Sequence, residues 1–114
     1  MTLLFKILPA PLWRAAQEAD SFRGAGVDLA DGYIHFSTAA QVAETARRHF
    51  AGQRDLLLVA VDAAMLGDAL RWEPSRGGDL FPHLYGALPL DAALRVDPLP
   101  LGADGAHDFS GLLT

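Results

Sequence analysis

The sequence predicts an α+β domain, a split mixed β-sheet with two main helices, occupying residues 1–100 and followed by a tail over 101–114. The run Leu56-Leu57-Leu58-Val59-Ala60-Val61 is apolar without a break and bounded by charge, the pattern of a strand buried on both faces. Shorter stretches with β-type alternation or composition flank it at Leu3–Leu8, Tyr33–Phe36, Leu70–Glu73, Phe81–Gly86 and Leu94–Asp97. Two windows, 12–19 and 39–51, carry apolar residues at helical spacing instead. With 114 residues, 51% hydrophobic and 20% charged, the chain is long enough for one real core and too short for two comfortable ones.

Leu3–Leu8 reads as a strand with Lys6 its only charge, ended by Pro9. Pro11 suits a first helical position, and Leu12, Ala15, Ala16 and Ala19 form the expected apolar stripe of the helix that follows. Asp20–Asp31 has glycines and weak periodicity, so it is expected to be an ordered loop with at most a short strand pairing. In the Tyr33–Phe36 strand, alternation puts Tyr33, His35 and Ser37 on one face and Ile34 and Phe36 on the other. Thr38-Ala39-Ala40-Gln41 matches a capping box, which predicts a helix from Ala39 to Ala51 with Val42, Ala46 and Phe50 inward and Gly52 past its end. Asp62–Asp68 suggests a helical turn, Pro74 stops the Leu70–Glu73 strand, and Gly77-Gly78 marks Ser75–Asp79 as a mobile loop. Phe81–Gly86 places His83 and Tyr85 on one face and Leu84 on the other. Pro89–Ala93 reads as a turn or short helix, Leu94–Asp97 as an edge strand ahead of Pro98 and Pro100, and 101–114 as a loosely held tail.

Several function classes are excluded or disfavoured. The sequence has no cysteine, which removes disulfides, zinc–thiolate sites and cysteine nucleophiles. It has no run of 18 or more apolar residues, so no membrane span is expected, and Met1–Leu8 reads as a strand and not as a signal peptide. A cytoplasmic location is the simplest expectation. The net charge of −5 and the lack of a basic stripe argue against nucleic acid as a partner, and Arg47-Arg48-His49 reads as a solvated helix face. The expected partner is a small molecule; the sequence leaves the oligomeric state open.

Four clusters bear on chemistry. His35 and Ser37 bring an imidazole and a hydroxyl to a strand end, with Thr38 opening a helix whose free N–H groups favour an anion or an oxygen-rich ligand. The plainer reading is a histidine satisfied by backbone and a serine that helps to cap the helix. His83 with Tyr85 forms a second pair, read either as packing or as a ligand contact. Trp72-Glu73 offers a carboxylate beside an aromatic; placed in a cleft, desolvation would raise the Glu73 pKa as in acid–base carboxylates. Arg71, Arg76 and Gly77-Gly78 read as a solvated loop or a lid with an anion contact. A metal site needs three or four convergent ligands, and His35, His83 and Glu73 lack any tight ligand spacing, so no metal is expected. His35-Phe36-Ser37 is similar to one half of the paired His-x-Ser/Thr of two-histidine phosphoesterases, but His83-Leu84-Tyr85 lacks the hydroxyl residue of the other half.

Three blocks in this order, Asp31-Gly32-Tyr33-Ile34-His35-Phe36-Ser37-Thr38, Arg71-Trp72-Glu73 and Phe81-Pro82-His83-Leu84-Tyr85-Gly86, resemble the small bacterial family catalogued as domain of unknown function nine-five-two. The resemblance runs from about Leu3 to Pro98. It implies an ADP-ribosyltransferase-like fold, a split sheet around a cleft for NAD as substrate. Carried over residue by residue, it puts Lys6 where the first strand of such enzymes has a ribose-binding histidine, and His35 nearest the tyrosine that stacks on nicotinamide. It puts Glu73 at the carboxylate that steadies an oxocarbenium ion. The expectation is therefore a nucleotide-ribose-directed transferase or glycohydrolase with Glu73 and His83 catalytic and Lys6, His35, Ser37, Thr38, Trp72 and Tyr85 binding ligand. The alternatives are a non-catalytic nucleotide or small-metabolite binding module and, more weakly, a two-histidine phosphodiesterase.

Overall fold

A computed structural model describes the chain from Met1 to Thr114 except for the Arg76 side chain, so the expected anion contact of Arg76 lies outside the described residues. The order is β1 (Leu3–Pro9), α1 (Ala10–Ala19), α2 (Val27–Asp31), β2 (Ile34–His35), β3 (Ser37–Thr38), α3 (Val42–His49), β4 (Leu56–Asp62), β5 (Leu70–Pro74), β6 (Leu80–Leu84) and β7 (Ala93–Leu99). 3-10 turns cover Ala63–Ala69, interrupted at Gly67, and also Arg76–Gly78 and Leu90–Ala92.

The sheet is split in two. One sheet has the order β3-β1-β4-β7 and the other β2-β6-β5. Every ladder among the described residues is antiparallel, where the sequence suggested mixed pairing. Only β5 and β6 are joined by a short turn; the other neighbours are brought side by side by long stretches of chain. The expected Tyr33–Phe36 strand is divided by this split. Ile34 and His35 pair with Leu84 and His83 of the second sheet, whereas Ser37 and Thr38 pair with Phe5 and Leu4 of the first. Phe36 lies at the crossing and donates its N–H to the Pro82 carbonyl at 3.0 Å.

Two apolar layers explain the continuous run at Leu56–Val61. Leu4, Leu8, Val59 and Val61 face the second sheet and pack with Trp13, Phe22, Ile34, Phe36 and Leu84. Phe5, Ile7, Leu58 and Ala60 face the other way and pack with Val42 and Ala46 of α3. The strands β1 and β4 are therefore buried on both sides, so neither could alternate with polar residues. The segment 101–114 closes the second layer with Phe109, Leu112 and Leu113, and His107 Nε2 donates to the Gln53 carbonyl at 2.9 Å.

Both main helices depart from expectation at their starts. α1 begins at Ala10, and its buried residues are Ala10, Trp13 and Ala16, while Leu12 is exposed. The larger Trp13 side chain takes the core side and rotates the stripe by one position. α3 begins at Val42 and not Ala39, because Thr38 is held in β3 opposite Leu4. Half of the capping box still forms: Thr38 N–H donates to Gln41 Oε1 at 3.1 Å, but the Thr38 hydroxyl caps nothing and Gln41 is the first capping residue. The expected loop at Asp20–Asp31 contains α2, and its short pairing is the Phe22–Leu88 bridge. The Ser75–Asp79 loop is a tight turn, with Ser75 N–H donating to the Asp79 carbonyl at 2.9 Å.

Candidate functional site

The crossing of the chain between sheets opens a cavity. β3 pairs with β1 only at Leu4 and Phe5, so the edge of β1 from Lys6 onward has no strand beside it on that side. The space there, about 800 Å³, is lined by Lys6 of β1, Asp28 of α2, His35 of β2, Ser37 of β3, Thr45, Arg48 and His49 of α3, and His83 of β6, with Phe5, Ile7, Phe50 and Phe81 among its apolar walls. That volume and that mixture of apolar wall with a few polar groups suit a small-molecule ligand.

Asp28 organises one side of the cavity. It is 2% exposed and accepts from four donors. Oδ2 takes Lys6 Nζ at 2.7 Å and Ala25 N–H at 2.9 Å; Oδ1 takes His35 N–H at 3.0 Å and His35 Nδ1 at 2.6 Å. Burial alone would raise the Asp28 carboxyl, but the His35 hydrogen bond and the Lys6 charge more than offset it and hold it at about 2. Burial lowers the Lys6 ammonium, against the opposing pull of Asp28. Lys6 Nζ also donates to the His35 carbonyl at 3.0 Å. His35 Nε2 meets Asp31 Oδ2 at 3.0 Å, so both of its ring nitrogens face carboxylates.

Glu73, His83 and Tyr85 form a second cluster. Glu73 Oε1 accepts from His83 Nδ1 at 2.8 Å and from the Tyr85 hydroxyl at 2.7 Å. These two hydrogen bonds, that of His83 first, lower the Glu73 pKa. This corrects the expectation of a carboxyl raised by desolvation: the donors outweigh burial, and Glu73 is an anion in place of an acid. The same hydrogen bond raises the Tyr85 phenol. With Nδ1 committed to Glu73, His83 presents Nε2. That atom has no partner among the described residues, none of whose buried side-chain nitrogens or oxygens is left unpaired, and His83 lines the cavity.

His35 and His83 are register partners across β2 and β6, with ring centroids 5.2 Å apart. Tyr33 packs on both, 4.6 Å from His35 and 4.2 Å from His83, and lies 5.1 Å from Tyr85. Desolvation, then Asp31, Glu73 and Asp28, raise the Tyr33 phenol.

Of the residues expected at a site, Lys6, His35, Ser37 and His83 come together on the cavity. Glu73 and Tyr85 reach it only through His83. Thr38 and Trp72 are not brought there. Thr38 is fixed in β3, and Trp72 lies opposite Pro82, on the face of β5 away from Glu73 and 42% exposed. Sequence reasoning missed Asp28, Asp31 and the packing role of Tyr33, and it read Arg48 and His49 as a solvated face only. The signal for Asp28 was Lys6 itself: a lone ammonium in a strand buried on both faces demands a counter-ion.

The paired imidazoles are on one side of the sheet, as a two-histidine phosphodiesterase would require. However, both nitrogens of His35 are engaged by carboxylates, which leaves only His83 with a free nitrogen. Among the described residues no three His, Asp or Glu side chains are placed to hold a metal ion, and no helix is long and apolar enough to cross a membrane.

Comparison with known proteins places the chain. It is similar to protein CC0527 from Caulobacter crescentus, whose crystal structure shares 47% identity over 98% of each chain with a TM-score of 0.94. The solution NMR structure of the same protein shares 48% identity over 96% of this chain and 95% of that one, with a TM-score of 0.86. No curated protein matches. Residues 7–96 match the family described as "Protein of unknown function (DUF952)", and the chain belongs to that family.

Proposed function

We propose that the protein acts on a nucleotide-ribose bond, as a transferase or glycohydrolase with an NAD-type substrate. The observation that carries this reading is the Glu73–His83 pair: His83, with Nε2 unpartnered, lines a cavity at the parting of two sheets, beside a buried ammonium and a hydroxyl. An imidazole with Nδ1–H donating to a carboxylate has a fixed tautomer whose Nε2 is the proton acceptor. In the hydrolytic case water adds to the anomeric carbon of NAD, the bond to nicotinamide breaks, and His83 Nε2 takes the proton of the water; the products are ADP-ribose, nicotinamide and a proton. Glu73 is then a positioning residue, and the apolar walls exclude bulk water.

The test is nicotinamide release from NAD by the whole chain. His83→Ala is expected to abolish release, and Glu73→Gln to lower kcat by 10-fold or more with little change in KM. Full activity in Glu73→Gln would overturn this assignment of roles.

A second reading, a binding module without turnover, is favoured by one observation. Asp28 is the sole acidic residue lining the cavity among the described residues, and Lys6 and His35 already pair with it. No free carboxylate therefore faces a developing cation. Saturable NAD binding with no nicotinamide on long incubation would support this module.

A further inference from the structure

Two hydroxyls at the cavity fix a hydrogen-bond direction. Ser37 Oγ lies 2.8 Å from Thr45 Oγ1, and Thr45 Oγ1 lies 3.2 Å from the Gln41 carbonyl oxygen one helical turn back. A hydroxyl has a single proton and a carbonyl only accepts. With both contacts kept, the Thr45 proton goes to the Gln41 carbonyl, which can only accept, and the Ser37 proton goes to Thr45. Ser37 is 4% exposed and lines the cavity, so what it has left for a ligand is lone pairs. Lys6 is its complement. Its ammonium gives protons to the His35 carbonyl and Asp28, retains a third, and has no lone pair.

We infer that Ser37 is an acceptor-only, specificity-determining position, filled by a hydrogen-bond donor of the ligand. That the donor is a ribose hydroxyl rests on the nucleotide-ribose reading above. A phosphate, which at neutral pH has acceptor oxygens to offer, meets lone pairs at Ser37 and is turned toward the basic side chain of Arg48 on the same cavity. The site thus sets the direction in which a nucleotide lies: sugar over Ser37 and phosphate toward the C-terminal turn of α3. A carboxamide N–H is the other donor that an NAD-type ligand carries, and the test separates the two.

The proton order is read first, by a neutron structure of the deuterated, ligand-free chain. The Thr45 deuteron is expected toward Gln41 and the Ser37 deuteron toward Thr45; a Thr45 deuteron pointing at Ser37 overturns the inference whatever binds. Amide NMR titrations with ADP-ribose, nicotinamide and inorganic phosphate, on the native chain and on Ser37→Ala, then read the ligand. ADP-ribose is expected to move the Ser37 and Thr45 amides, and Ser37→Ala to weaken it by about 3- to 10-fold, the worth of one neutral hydrogen bond, without changing phosphate affinity. Unchanged ADP-ribose affinity in Ser37→Ala, or phosphate binding that depends on Ser37, overturns the inference. Nicotinamide binding that depends on Ser37 overturns the ribose assignment. Should ADP-ribose bind nowhere while the deuterons stand as expected, the nucleotide-ribose reading falls and the acceptor-only assignment is upheld.

Discussion

His35 and His83 stand opposite each other in an antiparallel pair, and each turns Nδ1 to a carboxylate from a different part of the chain, Asp28 at 2.6 Å and Glu73 at 2.8 Å. The likeness ends at Nε2. In His35 it is taken by Asp31 at 3.0 Å, and in His83, which lines the cavity, it has no partner among the described residues. One imidazole is thereby tied at both nitrogens and the other keeps one nitrogen unpartnered.

The first prediction concerns Asp28. Asp28→Asn removes the counter-ion of a buried ammonium, and breaking a buried pair from one side typically costs about 3–5 kcal/mol. Chemical denaturation is expected to show a loss in that range, with Lys6→Met less damaging because His35 still partners Asp28. The pH dependence follows the same group. Its folded pKa, about 2, is depressed from 3.8, so its contribution is fully present above pH 3.8 and is lost as pH falls toward 2. That contribution is about 2 kcal/mol at 1.36 kcal/mol per unit. The native chain is expected to lose this stability between pH 4 and pH 2, and Asp28→Asn not to lose it there.

Tyr85→Phe tests the second cluster. The phenol is one of the two donors that depress Glu73, so its removal is expected to raise the Glu73 carboxyl toward its ordinary range. Carboxyl-carbon NMR across an acid titration reads this directly. An unmoved Glu73 titration would mean that the 2.7 Å hydrogen bond is not maintained in solution.

The two tryptophans should separate sharply. Trp13 is buried between α1 and the sheets, and Trp13→Ala is expected to cost about 3–5 kcal/mol. Trp72 is 42% exposed opposite Pro82, and Trp72→Ala should cost clearly less than Trp13→Ala. It should also leave ligand affinity unchanged. Weakened binding in Trp72→Ala would return this residue to the site.

Much of the architecture was legible because it rests on period and punctuation. The doubly buried β4, the alternation that brings His83 and Tyr85 to one carboxylate, and the edge position of β7 all follow from local pattern. What was not legible depended on partners distant in sequence. Nothing near Phe36 announces that the chain changes sheets there, since the pairing of Ser37 with Phe5 and of His35 with His83 is decided by strands elsewhere. Thr38 failed as a helix cap for the same reason: a ladder to β1 outcompeted a local turn. Asp28 sits in a glycine-flanked segment without periodicity, and its role appears only once Lys6 and His35 are folded against it.

The most direct measurement is a two-dimensional amide NMR titration of the whole chain with NAD and ADP-ribose. Saturable shifts are expected at 25–28, 35–37, 45–49 and 83, the walls of the cavity, and none at Trp72. Saturable shifts confined to other surfaces, or no shifts at millimolar ligand, would contradict that expectation.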